Sequence, residues 1–450
     1  MKISVTDFRC FHMAEDINVR PVNILVGENS AGKSSFLAAV RFLLDLFRDD
    51  AKPTFNRDPF YLGSYEQIAH YRGGRFGRAK EFSFSFTDDV DKDYMGRRGR
   101  MFKGNAEVEW ETPRSQTTAI SFFNNRSQPA ISELSFTSGQ FGFVANLKED
   151  VRLKLFGPGG MEVDLPTKRS RGYDPLIYDL SFIDFLLRDG RFLVRGPGSE
   201  ETNAKIESLL THVIDLYQSS KRLLPREIFA SAPVRSKPSR TYNPGESIPS
   251  ADGEHIPFVL SQIKEFDKEL WAELARSLTA FGKSSGLFEG LTVKRLSNTE
   301  SGPFQLIVSS KGSKSNIIDV GYGVSQCLPI LTDLIRARAR SMFLIQQPEV
   351  HLHPRAQAEL ATFFCQMVQR KHHTLFIETH SDYLIDRFRT EARDGNIKPE
   401  DISILYFERK GHDVTIHSLT VDSKGNVHGA PASYRQFFVT EELKSLGVKL

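Results

Sequence analysis

Val22-Asn23-Ile24-Leu25-Val26-Gly27-Glu28-Asn29-Ser30-Ala31-Gly32-Lys33-Ser34-Ser35 decides the fold. Its first five residues are apolar apart from Asn23, as in a strand buried on both faces. After Gly32 the period changes, and Phe36, Leu37, Val40, Leu43, Leu44 and Phe47 recur at helical spacing, with Ser34 and Ser35 at the helix start. Between strand and helix, Gly27, Gly32, Lys33 and Ser34 fill every fixed position of G-x-x-x-x-G-K-[ST]. The glycines let the loop wrap its backbone N–H groups, from Asn29 through Ser35, around phosphates, and the helix N-terminus adds partial positive charge. Lys33 is expected to reach the β and γ phosphates, and the Ser34 hydroxyl to coordinate Mg²⁺. Such a site needs a second strand ending in carboxylates that hold the metal and orient water. The apolar run Ser341 to Ile345 supplies that strand, and it leads into Gln346-Gln347-Pro348-Glu349-Val350-His351-Leu352-His353-Pro354.

Outward from these two strands, Ile3, Val5 and Phe8 predict one early strand and Val22 to Val26 a second. Short period-two runs between Phe82 and Asp164 predict an antiparallel, β-rich section that includes Phe82–Phe86, Ala106–Trp110, Thr118–Phe123 and Val151–Phe156. Helices are expected over Asp179–Leu187, Ala204–Leu223 and Ile256–Phe281, with a Pro- and Ser-rich loop over Ser231–Gly253. From about Leu291, strands and helices alternate in α/β fashion to strand Ile402–Phe407. The division expected is 1–90 for the first part of an ATPase head, 91–290 for an inserted β-rich and helical section, and 291–450 for the rest of the head. No heptad run predicts a long coiled-coil arm.

The chain has 450 residues, with 59 Lys and Arg against 56 Asp and Glu, a formal charge of +3. That balance excludes a polybasic tail protein, so any nucleic-acid contact must be a local patch. Arg97, Arg98, Arg100 and Lys103, then Lys168, Arg169 and Arg171, then Arg235, Lys237 and Arg240 are such clusters, each equally what a solvated loop looks like. Three scattered cysteines, Cys10, Cys327 and Cys365, argue against a disulfide scaffold or cysteine zinc cluster and fit a reducing compartment. The most apolar stretch, Phe36 to Phe47, is too short for a bilayer and is broken by Arg41 and Asp45. Met1-Lys2 leads straight into strand-like sequence without a signal peptide, so a cytoplasmic protein without membrane contact is expected.

The P-loop, the Pro348-Glu349-Val350-His351-Leu352-His353-Pro354 run, Thr379-His380-Ser381 after a strand, and Gly321-Tyr322-Gly323-Val324-Ser325-Gln326 before a helix together resemble the overcoming-lysogenization-defect family of ATPases. That family is a branch of the ABC, RecF and SMC-like ATPases. Ser231-Ala232-Pro233-Val234-Arg235 through Asp252-Gly253-Glu254-His255-Ile256-Pro257 also resembles prokaryotic AAA-type members of the branch. The resemblance implies an α/β fold, an ABC-type P-loop ATPase head with an inserted section, using ATP and Mg²⁺. It implies that Gly323, Ser325 and Gln326 belong to a signature that meets the γ-phosphate held by a second copy, that His351 to His353 form a D-loop with His353 near nucleotide, and that His380 is a switch histidine. Gln67, read as standing just before a strand, is the candidate Q-loop residue. Ser34, Gln67 and, through water, Gln346 would hold the metal, while Gln346, Gln347 and His380 would stand at the reacting end.

Related sequences usually carry Glu where Gln346, and often Gln347, stand. An amide cannot take a proton as a base, so slow hydrolysis is expected. Either the chain binds ATP as a natural switch, or Gln346 replaces a native glutamate. Relatives often continue into a Toprim nuclease, for which the stretch after Ser433 is too short, so nuclease chemistry is expected from another polypeptide. The implied partners are a second copy or a larger homo-oligomer joined through the ATP sites, an effector nuclease or toxin acting in trans as in anti-phage systems, and DNA or a phage protein. A DNA repair clamp and an ATP-binding scaffold without turnover are the rival readings.

Overall fold

The computed structural model describes all residues except 48–53, 75, 90–114, 149–151, 167–199, 222–223, 226, 244–247, 298–301 and 435–450. The expected strand Ala106–Trp110, the expected helix Asp179–Leu187 and the basic clusters at Arg97–Lys103 and Lys168–Arg171 lie outside the described residues.

The chain opens with β1 (Lys2–Phe8), β2 (Phe11–Asn18), β3 (Val22–Gly27) and α1 (Lys33–Leu46). A short pair, β4 (Asn56–Arg57) and β5 (Phe60–Tyr61), and one helical turn, α2 (Tyr65–Ile68), precede β6 (Glu81–Asp89). Then come β7 (Ser115–Asn125), β8 (Gln128–Ser138), β9 (Phe141–Asn146), β10 (Arg152–Gly157), β11 (Met161–Pro166), α3 (Glu200–Lys221) and β12 (Ile228–Ser231). Helices α4 (Ile256–Phe266) and α5 (Lys268–Ser285) lead into β13 (Gly290–Arg295), β14 (Phe304–Ser310) and β15 (Ser313–Asn316). The last part runs α6 (Tyr322–Arg336), β16 (Met342–Gln346), α7 (Pro354–Lys371), β17 (Thr374–Glu378), α8 (Asp382–Arg393), β18 (Ile402–Lys410), β19 (Asp413–Val421) and β20 (Val427–His428).

Two large sheets organise these elements. One is wholly antiparallel, in the order β11-β10-β9-β8-β7-β6-β1-β2, so the β-rich section continues the N-terminal hairpin as a single sheet. The other has the order β12-β16-β17-β3-β18-β19-β20, with its first five strands parallel. Alternate residues of the parallel strands enter opposite cores, as a period of two demands. Leu25, Leu344, Phe376 and Leu405 face the core shared with α1 and the antiparallel sheet. Ile24, Ile345, Ile377 and Ile404 face the core shared with α5, α6, α7 and α8. Helix α1 is buried on nearly every side because it lies between the two sheets, which accounts for its apolar residues all round. Two of its three buried charges pair, with Arg41 Nε donating to Asp45 Oδ2 at 2.7 Å, and Arg57 adds a second donor to the same oxygen at 3.0 Å.

Three expectations need correction. The start of the chain holds three strands rather than two, because β2 carries a bulge. The register slips between Ile3 and Val5, Asp16 takes a φ of 53°, and the buried residues Phe11, Ala14 and Ile17 fall three apart instead of alternating. The helix expected over Ile256–Phe281 is two helices that break at Asp267, whose carboxylate caps the second by accepting from Leu270 N at 2.9 Å. Gln67, expected just before a strand, stands in α2.

Candidate nucleotide-binding site

Strand β3 ends at Gly27, and the loop to α1 turns through left-handed backbone at Ser30 (φ 62°) and Gly32 (φ 90°). Glycine is required at two of its positions. A Cβ on Gly27 would lie 2.5 Å from the Phe407 carbonyl oxygen, and one on Gly32 would lie 2.4 Å from Cys10 Sγ. Lys33 is buried and folds back across the loop, its Nζ donating to the carbonyls of Gly27 and Glu28 at 2.9 and 2.8 Å. Burial lowers its pKa, and the nearby Glu378 carboxylate opposes that shift. Arg409 Nη1 clamps the loop from β18 by donating to Ser30 O at 2.9 Å.

The parallel sheet delivers the other half. Pairing aligns Gln346 with Glu378 and Glu378 with Leu25, so the C-terminal ends of β16, β17 and β3 stand side by side. Ser34 Oγ donates to Glu378 Oε2 at 2.9 Å, with Oε1 at 3.2 Å, and Gln346 Nε2 donates to the same Oε2 at 3.4 Å. Glu378 and Gln346 are each 6% exposed. The chain then turns at Gln347, which takes a φ of 42° while its N–H donates to Glu378 O at 2.8 Å. Beneath this turn lies Arg235, 3% exposed, its Nη2 donating to the carbonyls of Gln346 and Gln347 at 2.9 and 3.2 Å. Desolvation pulls its pKa down to about 10. Glu349 Oε1 accepts the backbone N–H of His380 at 2.7 Å, which ties the segment after β16 to the turn after β17. Desolvation, and after it the charge of Lys33, lower the pKa of His380 and favour a neutral ring.

A cavity of ≈ 450 Å³ opens over the loop, lined by Ser30 to Ser35 and Glu378 and also by Arg9, Cys10, Tyr71, Arg78 and His412. The guanidinium of Arg78 lies over the Tyr71 ring, 4.8 Å from its centroid, and His412 meets the same ring edge-on at 5.7 Å. Burial pushes the Cys10 thiol up to about 11.

The residues singled out in the sequence divide into two groups. Ala31 to Ser35 together with Gln67 line the cavity, and Gln346 reaches it through Glu378. The amide oxygen of Gln67 already accepts from Ser64 N at 3.0 Å, in a capping box that competes with a metal-holding role. Gly27, Asn29, Gly323, Ser325, Gln326, Gln347, His353 and His380 do not line this cavity. Ser325 Oγ donates to Tyr322 O at 2.8 Å, and Gln326 is buried. Gly323 packs against the segment after β16, where a Cβ would come within 2.9 Å of the His351 carbonyl oxygen. The ring of His353 caps α7, its Nδ1 accepting from Ala356 N at 3.4 Å.

The basic stretch of the Pro-rich loop does not form one patch. Arg235 is turned inward onto carbonyl groups, and Arg240 pairs with Asp319 at 2.5 and 2.9 Å, leaving Lys237 exposed. Glu378 was missed from sequence, although its signal is there, since Thr374-Leu375-Phe376-Ile377 is an apolar run ending in an acid, as a site-bearing strand should be. Arg235 was read as a surface cation, and nothing in its neighbourhood in the chain marks it as buried.

The donor set fits a magnesium nucleotide. A Ser hydroxyl bonded to a buried carboxylate is the hard-oxygen environment Mg²⁺ selects, and this ion takes most of its remaining ligands from phosphates and water. Among the described residues no group of three or more His, Cys, Asp or Glu side chains gathers as a softer metal would need.

A glycine loop between a buried parallel strand and a buried helix, with lysine, serine and a carboxylate at its mouth, defines a P-loop ATPase head of the AAA class. The match over residues 22–386 is to the family described as "AAA domain, putative AbiEii toxin, Type IV TA system", and the chain belongs to that family. No match is found among curated proteins. Among solved structures the chain is similar to an SMC head bound to the C-winged helix domain of ScpA, at 12% identity and a TM-score of 0.42, covering 94% of this chain and 97% of that one. It is also similar to an Smc head domain with an extended coiled coil from Pyrococcus furiosus, bound to the C-terminal domain of ScpA, at 11% identity, a TM-score of 0.39 and 98% coverage of both chains. The SMC head domain from Thermotoga maritima is a third such likeness, at 11% identity and a TM-score of 0.39, covering 93% and 97%. At scores of this size the likenesses carry no weight here. The class rests on the loop, the sheet order and the family match. Among the described residues no helix is long and apolar enough to cross a membrane.

Proposed function

We propose that the chain is a Mg²⁺-dependent, ATP-binding switch of the overcoming-lysogenization-defect type. Two copies close head to head around two nucleotides, and the closed form governs a nuclease or toxin acting in trans in the cytoplasm, within an anti-phage system. Residues 1–90 and 291–450 form the head in this reading, and 91–290 the insertion. The observation that carries it is the cluster of Lys33, Ser34, Gln346 and Glu378 at the ends of three neighbouring strands, under a cavity of ≈ 450 Å³.

On binding, Lys33 exchanges the Gly27 and Glu28 carbonyls for phosphate oxygens, so that its ammonium meets charged acceptors in place of uncharged ones. The loop N–H groups and the start of α1 hold the remaining phosphate charge. Ser34 would hold Mg²⁺, which would supply positive charge to offset that of the phosphates. His380 is the neutral group beside them, and Arg235 fixes the strand end that carries Gln346. Ser325 and His353 contribute to the nucleotide of the opposite copy, which fits their absence from the wall of their own cavity. Closure by ATP and release by hydrolysis make a two-state device, and the effector is whatever binds one state better than the other.

The amides at 346 and 347 favour a second reading, a scaffold that binds ATP and turns it over slowly if at all. Two measurements separate these outcomes. Size-exclusion mass with ATP and Mg²⁺ should be twice that without nucleotide, and a mass indifferent to ATP removes the sandwich. Steady-state phosphate release should rise by about tenfold or more in Gln346→Glu if a missing acid limits turnover. No rise leaves the scaffold.

A further inference from the structure

We propose that Glu378, the residue ending the strand between the P-loop strand and the strand that carries Gln346, is the carboxylate that holds the metal of the nucleotide site. Position 346 then acts as its hydrogen-bonding support. This rests on the nucleotide reading above and names the ligand set of that same site.

Strand order comes first. Strand β17 is inserted between β16 and β3, so Glu378 stands one strand spacing from the P-loop strand, roughly 4.8 Å, and Gln346 stands two. Contact comes second. Glu378 meets the Ser34 hydroxyl with both carboxylate oxygens, at 2.9 and 3.2 Å, whereas no hydrogen bond joins Gln346 to Ser34. The chemistry of residue 346 comes third. Its amide donates to Glu378 Oε2 at 3.4 Å, a bond only a donor can make. A carboxylate at 346 would set two like charges against each other in a site 6% exposed on both sides. The glutamine therefore suits a site whose acid is Glu378, and the arrangement leaves an oxygen pair beside Ser34 where a hard cation bound to phosphate needs one.

The test is equilibrium binding of a fluorescent ATP analogue to the full chain, in EDTA and in Mg²⁺, for the unchanged protein, Glu378→Gln, Glu378→Asp and Gln346→Glu. The unchanged chain should bind about tenfold or more tightly with Mg²⁺ than without, equivalent to about 1.4 kcal/mol. In Glu378→Gln that ratio should fall towards one, while binding in EDTA persists or tightens because a negative charge beside the phosphates is gone. Binding in EDTA also reports that the cradle is folded. Should Glu378→Gln lose it, the ratio in Glu378→Asp decides, since aspartate keeps the charge and retreats by one methylene, and it should be intermediate. A full Mg²⁺ ratio in Glu378→Gln overturns the assignment, as does a ratio near one in the unchanged chain that Gln346→Glu creates. Failure of the unchanged chain to bind nucleotide in either buffer would instead strike the nucleotide reading itself.

Discussion

At the scale of single residues, the contact between Gly32 and Cys10 is the tightest test of the loop. Gly32→Ala meets both a φ of 90° and the Cys10 sulfur at 2.4 Å. It should destabilise the fold by about 1–3 kcal/mol, read as a lower denaturant midpoint. Cys10→Ala in the same chain should recover the steric part and leave the backbone part, so a double-mutant cycle with no coupling would show that the sulfur is not the obstacle. Cys10 also reports on the cavity. With its thiol pushed up to about 11, alkylation at pH 7.5 should be slow and should accelerate about tenfold per pH unit. Cys327, pushed up to about 12, and Cys365, pushed higher still, are fully enclosed and should label only after Cys10. Because Cys10 walls the cavity, ATP should slow its labelling several-fold by mass spectrometry, and labelling unaffected by saturating ATP would put the nucleotide elsewhere.

At the scale of elements, the site is a set of strand ends, and what keeps them in place lies below them. Arg235 holds the carbonyls of Gln346 and Gln347 at the end of β16 and is buried from solvent. Arg235→Met keeps the volume and loses the donors, and should cost about 1–3 kcal/mol. Removal of a desolvated charge offsets part of that. Arg235→Lys should not restore stability, since one ammonium on a flexible stem does not reproduce a planar fork spanning two carbonyls. Chemical denaturation of the three proteins checks this, and a lysine variant as stable as the original would assign the arginine no geometric role. The same scale explains what could be read from sequence. Strand β3 and helix α1 were legible because a near-continuous apolar run and a period of 3.6 are local properties of the sequence. Strand β2 was not, because a bulge at Asp16 erased the alternation, and Asp267 split a helix whose apolar period runs on across the break.

At the scale of the whole molecule, the parallel sheet is shared by both cores. Leu25, Leu344 and Phe376 are packed below it, and Ile24, Ile345 and Ile377 above it. Neither core can lose its partner without exposing the other face of the same strands, so calorimetry should record one cooperative transition. Two resolved transitions would mean that the antiparallel sheet unfolds alone. ATP at about 100 times its Kd should add about 2.7 kcal/mol to the folded state, visible as a higher Tm that depends on ligand concentration.

Sequence by itself determined the phosphate loop, the buried helix behind it and the α/β order of the last third, because these depend on contacts among residues a few positions apart. Only the tertiary structure decided which acid faces Ser34, since Glu378 lies 344 residues away and reaches it through the order in which strands join the sheet. It likewise decided that Arg235 is a buried brace rather than a surface charge. Strand order and burial are set by the summed packing of both cores, a property no short stretch of chain carries.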